Sequence, residues 1–227
     1  MGFWAAWGLW SLTGLALALS QAIWWVPRLA EPPDGPALHK TPYRALPEAR
    51  QLSVLAGLVV AAQAITAAQP AEQRGLWLVA GSSLLVLVWV DGLTTWVPTA
   101  LAWAVMAQMA VAGVAGSLVA NSPGGFLAQI AAGALAAWAL WWLIWRLARG
   151  GLGYGDVRLA VPIGALAGTI GLDGWLAAWL AGSLVGLVWG LVVRRRHPAP
   201  GTVGGFAYGP ALWTGPYLAL LWLAVVQ

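Results

Sequence analysis

Two aspartates stand at the edges of strongly apolar runs. Asp91 ends the run LLVLVWVD, and Asp156 follows the glycine-rich turn GLGYG and precedes another apolar run. A carboxylate beside a lipid-facing segment is unfavourable unless it is paired, protonated or open to a polar cavity, so both are functional candidates. Two carboxyl groups within a few ångströms of each other share one proton and can activate a water molecule. The two aspartates therefore predict acid–base hydrolysis at a membrane edge.

The composition excludes several other kinds of chemistry. Of the 227 residues, 61% are hydrophobic and only 8% are charged, against roughly a quarter charged in soluble domains. The absence of cysteine excludes disulfides, thiolate metal sites and cysteine nucleophiles, and the two histidines, His39 and His197, are expected to be solvated. We therefore expect no metal and no cofactor. The net charge of +4 comes from basic residues that form no stripe, so we expect no nucleic-acid partner.

The apolar runs predict an all-α polytopic membrane protein. A spanning helix needs about 20 apolar residues, somewhat fewer where one end lies in the interface. Eight runs meet this length approximately: 3–26, 52–69, 76–90, 98–120, 126–145, 159–172, 175–193 and 206–226. We divide the chain into a first transmembrane helix at 1–26, a short irregular cytoplasmic loop at 27–51 and a multi-helix membrane domain at 52–227.

Charge predicts the orientation of these helices. With eight crossings, the segments 27–51, 91–97, 146–158 and 194–205 share one side of the membrane, and both termini lie on the other. Ten of the 11 lysines and arginines fall in the first set, which leaves Arg74 alone opposite. Cytoplasmic loops carry the excess of basic residues, so we expect that set to be cytoplasmic and the termini outside. Asp91 and Asp156 would then both lie at the cytoplasmic face.

The two aspartate segments resemble those of the type IV prepilin leader peptidases, membrane aspartic proteases of the GxGD type. The segment DGLTTWVP at 91–98 is similar to the family's first aspartate segment, and GLGYGDVRL at 151–159 is similar to its second. The stretches GALAG at 164–168 and YGPAL at 208–212 are similar to further family patterns. The resemblance covers the chain from Leu76 to its C-terminus.

The resemblance implies an activity and a set of site residues. Asp91 and Asp156 would be the catalytic pair, Gly153 and Gly155 would let the backbone approach the substrate, and Arg158 would occupy the family's basic position. The substrates would be prepilins or pseudopilins, cleaved at the inner face of a bacterial or archaeal plasma membrane, and a homodimer is possible. Because the loop at 27–51 is short and lacks cysteine, we predict a peptidase without the methyltransferase activity of longer family members.

Two other functions remain open from the sequence. A proton-coupled transporter subunit could use the two aspartates as a relay, although such carboxylates usually lie near the midplane in two related halves. An intramembrane protease of the presenilin type shares the GxGD motif, but it would carry tyrosine where Val90 precedes Asp91. The position of the aspartates near one face favours the prepilin peptidase.

Overall fold

The computed structural model describes residues 2–31, 41–149, 151–196 and 207–226, which form helices and turns and no strand. His39, His197, and residues 32–40 of the predicted loop at 27–51 lie outside the described residues. The α-helices are α1 (Phe3–Ser20), α2 (Ala49–Ala68), α3 (Arg74–Ala80), α4 (Ser83–Thr94), α5 (Thr99–Ser117), α6 (Pro123–Leu147), α7 (Tyr154–Gly168), α8 (Gly171–Arg196) and α9 (Gly209–Val226).

Seven helical segments in the described part of the chain are long and apolar enough to cross a membrane. One of them, Arg74–Thr94, combines α3 and α4, and another, Phe3–Arg28, continues α1 through a π-helical turn at Gln21–Trp25. Helix α7 is the eighth apolar helix, and its 15 residues make it shorter than an ordinary span. The prediction of an all-helical, multi-pass membrane protein is confirmed, while the orientation of the helices and termini stays a prediction.

Several helix ends differ from the predicted loop boundaries. Asp91 lies in the last turn of α4, and Asp156 and Arg158 lie inside α7, which begins five residues before the predicted run. Helix α8 likewise begins at Gly171 and includes Asp173 in its first turn. An apolar run ends at the first charged residue, but a helix can extend past it. At Asp156 and Asp173 the reason is that acidic residues are favourable in the first turn of a helix. The predicted division at 1–26, 27–51 and 52–227 stays a prediction.

The helices form two compact units, Met1–Leu127 and Ala128–Gln227. In the first unit, the broken span of α3 and α4 is more buried than any other span. Its break at Gly81 and Ser82 packs against α1 and α2. A Cβ atom at Gly81 would lie 2.7 Å from the Gln63 amide nitrogen, and one at Gly14 would lie 2.8 Å from the same atom. The two glycines thus make room for the Gln63 side chain between the helices.

The second unit depends on two glycine contacts between helices. Gly133 of α6 faces Gly164 and Gly168 of α7, and the backbones approach so closely that no Cβ fits between them. Gly182 of α8 meets the backbone of α9 less closely, where a Cβ would lie a tight 3.2 Å from the carbonyl oxygen of Ala211. Small residues at four-residue spacing let membrane helices pack at short range. The glycines of α7 and α8 therefore lie where these helices pack closely against their neighbours.

We predict that Gly164→Ala destabilises the second unit by roughly 1–3 kcal/mol, the usual effect of overpacking a close contact. The added Cβ would lie 2.6 Å from the carbonyl oxygen of Gly133, an atom that only a backbone shift can move. Gly57→Ala is the control, because a Cβ at Gly57 meets nothing within 4 Å. Thermal unfolding in detergent should show a lower midpoint for Gly164→Ala alone. Equal midpoints for the two variants would contradict the close approach of α6 and α7.

Candidate active site

Asp91 is held at the end of a buried helix. Asp91 is 4% exposed, and α4 ends three residues later at Thr94, because the next residue, Thr95, adopts a left-handed conformation with φ of 59°. The Thr95 amide donates to the Asp91 carbonyl oxygen at 2.6 Å, and the Thr94 hydroxyl donates to Val90 at 2.7 Å. These bonds satisfy backbone groups that the end of the helix would otherwise leave unpaired. The backbone of Asp91 is therefore held in the hydrogen-bonded end of α4, and the residue is buried there.

Tyr43 lies within the electrostatic reach of Asp91. It begins a short 3₁₀ turn, Tyr43–Ala45, and its side chain is 2% exposed. Burial, and to a smaller extent the negative charges that Glu31 and Asp91 carry when ionised, together raise the pKa of Tyr43 from 10.0 to about 12. The phenol therefore stays neutral at cellular pH and can donate a hydrogen bond. Sequence analysis missed this residue, although Tyr43 is the only aromatic side chain in the loop at 27–51.

A second group of buried polar side chains surrounds the break between α3 and α4. The Gln21 amide, in the π-helical turn that follows α1, donates to the Ser83 hydroxyl at 2.7 Å. The Ser82 hydroxyl donates to the carbonyl oxygen of Leu78. Gln63 is 0% exposed, and among the described residues neither of its amide atoms has a hydrogen-bond partner. Polar groups buried so deeply in a protein are normally satisfied by protein groups or by ordered water.

Asp156 lies in the first turn of α7 and is partly exposed. Gly153 caps the helix, and its carbonyl oxygen accepts from the Asp156 amide at 3.2 Å. The N-terminal end of a helix carries partial positive charge, which favours a negative side chain at this position. A carboxylate at Asp156 is thus stabilised by the backbone that follows the glycine-rich turn.

Arg158 and Tyr154 flank Asp156 in α7. The Arg158 guanidinium lies 5.2 Å from the centre of the Tyr154 ring, and this ring packs edge-on against Trp145 of α6. Cation–π contacts of this kind are favourable by about 0.5–1 kcal/mol at exposed sites. The contact holds the basic group close to the start of α7. Its predicted role toward a substrate stays a prediction.

The glycines of the turn do not adopt conformations reserved for glycine. Gly153 has φ of −75° and ψ of 143°, which any residue adopts, and Gly155 is helical within α7. A Cβ at Gly153 would lie 3.8 Å from the nearer Asp156 carboxylate oxygen, an ordinary contact. Because Gly153 is exposed, open access to its backbone remains the reason to expect glycine there.

The structure groups the predicted residues in two places. Gly153, Gly155, Asp156 and Arg158 lie together at the start of α7 in the second unit. Asp91 lies in the first unit, within electrostatic reach of Tyr43. In the described part of the chain, no three histidine, aspartate or glutamate side chains come together as a metal-binding group.

No known protein family, no curated protein and no solved structure matches this chain. The resemblance to the prepilin peptidases therefore stays a prediction that depends on the quoted motifs.

We predict that Asp91→Asn lowers the pKa of Tyr43 toward its ordinary value of 10.0, because a neutral amide no longer opposes formation of the phenolate. The measurement is an alkaline titration of phenolate absorbance, with the Tyr43→Phe signal subtracted to isolate this residue. Glu48→Gln serves as the control, because it removes an exposed carboxyl that is not one of the two charges acting on Tyr43. An unchanged titration in Asp91→Asn would show that the two side chains are not electrostatically coupled.

Proposed function

We propose that the protein is an intramembrane aspartic endopeptidase that removes the short cytoplasmic leader from type IV prepilin-like proteins. One observation carries the proposal: both candidate aspartates occupy the terminal turn of an apolar helix, Asp91 at the end of α4 and Asp156 at the start of α7. A carboxylate within an apolar membrane segment is a functional candidate, and this applies above all to Asp91, which is buried.

The chemistry that we propose uses both carboxyl groups and one shared proton. One carboxylate takes a proton from a water molecule as it attacks the peptide carbonyl, while the protonated partner donates to the carbonyl oxygen. The helix dipole favours negative charge at Asp156 and disfavours it at Asp91. We therefore assign Asp156 as the general base and Asp91 as the protonated partner in the resting enzyme.

The position of both aspartates at helix ends also supports the proposed substrate class. A prepilin holds its apolar helix in the membrane and its basic leader in the cytoplasm, so the bond to be cut lies at the inner interface. The charge distribution of the loops supports a cytoplasmic position for both aspartates. We propose peptidase activity alone, in a bacterial or archaeal plasma membrane, because the chain lacks the cysteines of the methyltransferase region.

A second candidate is a proton-coupled transporter subunit. The observation that favours it is the break of the Arg74–Thr94 span at Gly81 and Ser82, beside the buried side chains of Gln21 and Gln63. Transporters commonly bind substrate or ions at discontinuous helices of this kind. In this alternative, Asp91 would carry protons and would not activate water.

We expect Asp91→Asn and Asp156→Asn each to abolish cleavage of a co-expressed prepilin, because either change removes one half of the acid–base pair. The readout is the size shift of the prepilin on a gel, with membrane insertion of each variant measured in parallel. Glu48→Gln is the matched control, since it changes an exposed carboxyl at the start of α2 in the same way. Normal cleavage by either aspartate variant would exclude the peptidase. The transporter would be favoured if the wild type cleaved no prepilin but drove proton-coupled uptake into liposomes, and if the aspartate variants lost that uptake.

The proposed mechanism also predicts a bell-shaped dependence of the cleavage rate on pH, because one carboxyl must be ionised and the other protonated. The rate should not change when chelators are added, since the mechanism uses no metal. Rates measured with a synthetic leader peptide in detergent micelles would check both points. Inhibition by EDTA that added zinc reverses would replace this mechanism with metal-assisted hydrolysis.

A further inference from the structure

An open apolar groove runs between α8 and α9 in the second unit, with a volume of about 580 Å³. The side chains of Leu176, Leu180 and Leu184 line it from α8, and Ala219 and Trp222 line it from α9. The leucines are exposed, whereas Ala219 is buried between the helices and forms the bottom of the groove. The one charged residue that lines the groove, Asp173, lies in the first turn of α8.

The length of the groove matches one leaflet of a bilayer. Asp173, Leu176, Leu180 and Leu184 follow one another at intervals of three or four residues, so they lie on one face of α8. The 11 residue steps from Asp173 to Leu184 rise by about 16 Å along the helix. Half of the hydrocarbon core measures about 15 Å. A chain lying in the groove would therefore extend from the headgroup level at Asp173 to the middle of the membrane.

Asp173 and Trp222, which lie near one end of the groove, indicate which lipid headgroup fits there. The exposed Asp173 carboxylate accepts charge-assisted hydrogen bonds, which an ammonium group that carries N–H donors can supply. Trp222 is also exposed, and tryptophan rings favour the interface between headgroups and hydrocarbon. A quaternary ammonium group has no N–H to donate, and an anionic headgroup would meet the carboxylate with like charge.

We propose that this groove binds one acyl chain of a phospholipid whose primary ammonium headgroup pairs with Asp173, as phosphatidylethanolamine would. The site is built from residues of the second unit alone. It does not depend on the proposed peptidase activity.

The headgroup is tested by native mass spectrometry of the full chain after delipidation. Phosphatidylethanolamine, phosphatidylcholine and phosphatidylglycerol with identical acyl chains are added back separately. We expect the ethanolamine lipid to bind about tenfold more tightly than the other two, and Asp173→Asn to remove that preference. Equal binding of the three lipids, or an unchanged preference in Asp173→Asn, would overturn the proposal.

The groove itself is tested by filling it. Leu180→Trp places a large ring in the groove and should reduce retention of the ethanolamine lipid at least severalfold. Leu221→Trp is the matched control, because Leu221 is similarly exposed, 59% against 64% for Leu180, and does not line the groove. Equal lipid retention in the two variants would overturn the proposal. So would a protein dimer that Leu180→Trp dissociates without loss of lipid, since a second copy would then occupy the groove.

Discussion

A carboxylate is unfavourable in hydrocarbon, and this constraint determines where the acidic side chains lie in the described helices. Asp91, Asp156 and Asp173 all occupy terminal turns. Water can reach Asp156 and Asp173, which are at least partly exposed at N-terminal ends with unpaired amide groups. The helix dipole supports Asp156 and Asp173 at N-terminal ends but opposes a charge on Asp91 at a C-terminal end. Asp91 is also the most buried of the three. Its charge acts on the buried Tyr43, whose pKa it raises.

Close packing holds these helix ends in position. Lipid tails are as apolar as a leucine side chain, so the hydrophobic effect does not drive membrane helices together. They gain stability mainly from close packing against one another. In the second unit, Gly133 and Gly164 allow α6 and α7 to touch along their backbones, and the start of α7 carries Asp156. In the first unit, Gly14 and Gly81 accommodate Gln63 beside the broken span that ends near Asp91. Close glycine contacts therefore hold α7, which contains Asp156, and the broken span whose last turn contains Asp91.

Apolar run length was sufficient to predict the helices, but not their ends or their irregularities. One predicted run ended at Val90, before Asp91, and another began at Leu159, after Asp156, because each charge was taken as a boundary. Both aspartates in fact lie inside helices, and only at Asp156 does the helix dipole favour the acid. The break at Gly81 and Ser82 had a local signal, because adjacent glycine and serine residues often mark a kink. Tyr43 had almost none. Its short turn packs against the turn Val26–Arg28, a tertiary contact that no local pattern specifies.

The polar groups around the break help to separate the two proposed functions. A proton relay needs polar groups or water in continuous contact, and the amide of Gln63 requires partners that ordered water supplies most simply. On α4, however, Ser83, Leu87 and Asp91 follow one another at four-residue spacing on one face, and Leu87 is completely buried. An apolar turn thus separates the polar group at the break from the carboxyl of Asp91. Hydrolysis requires water only at the end of the helix, so this interruption is compatible with a peptidase and unfavourable for a relay through α4.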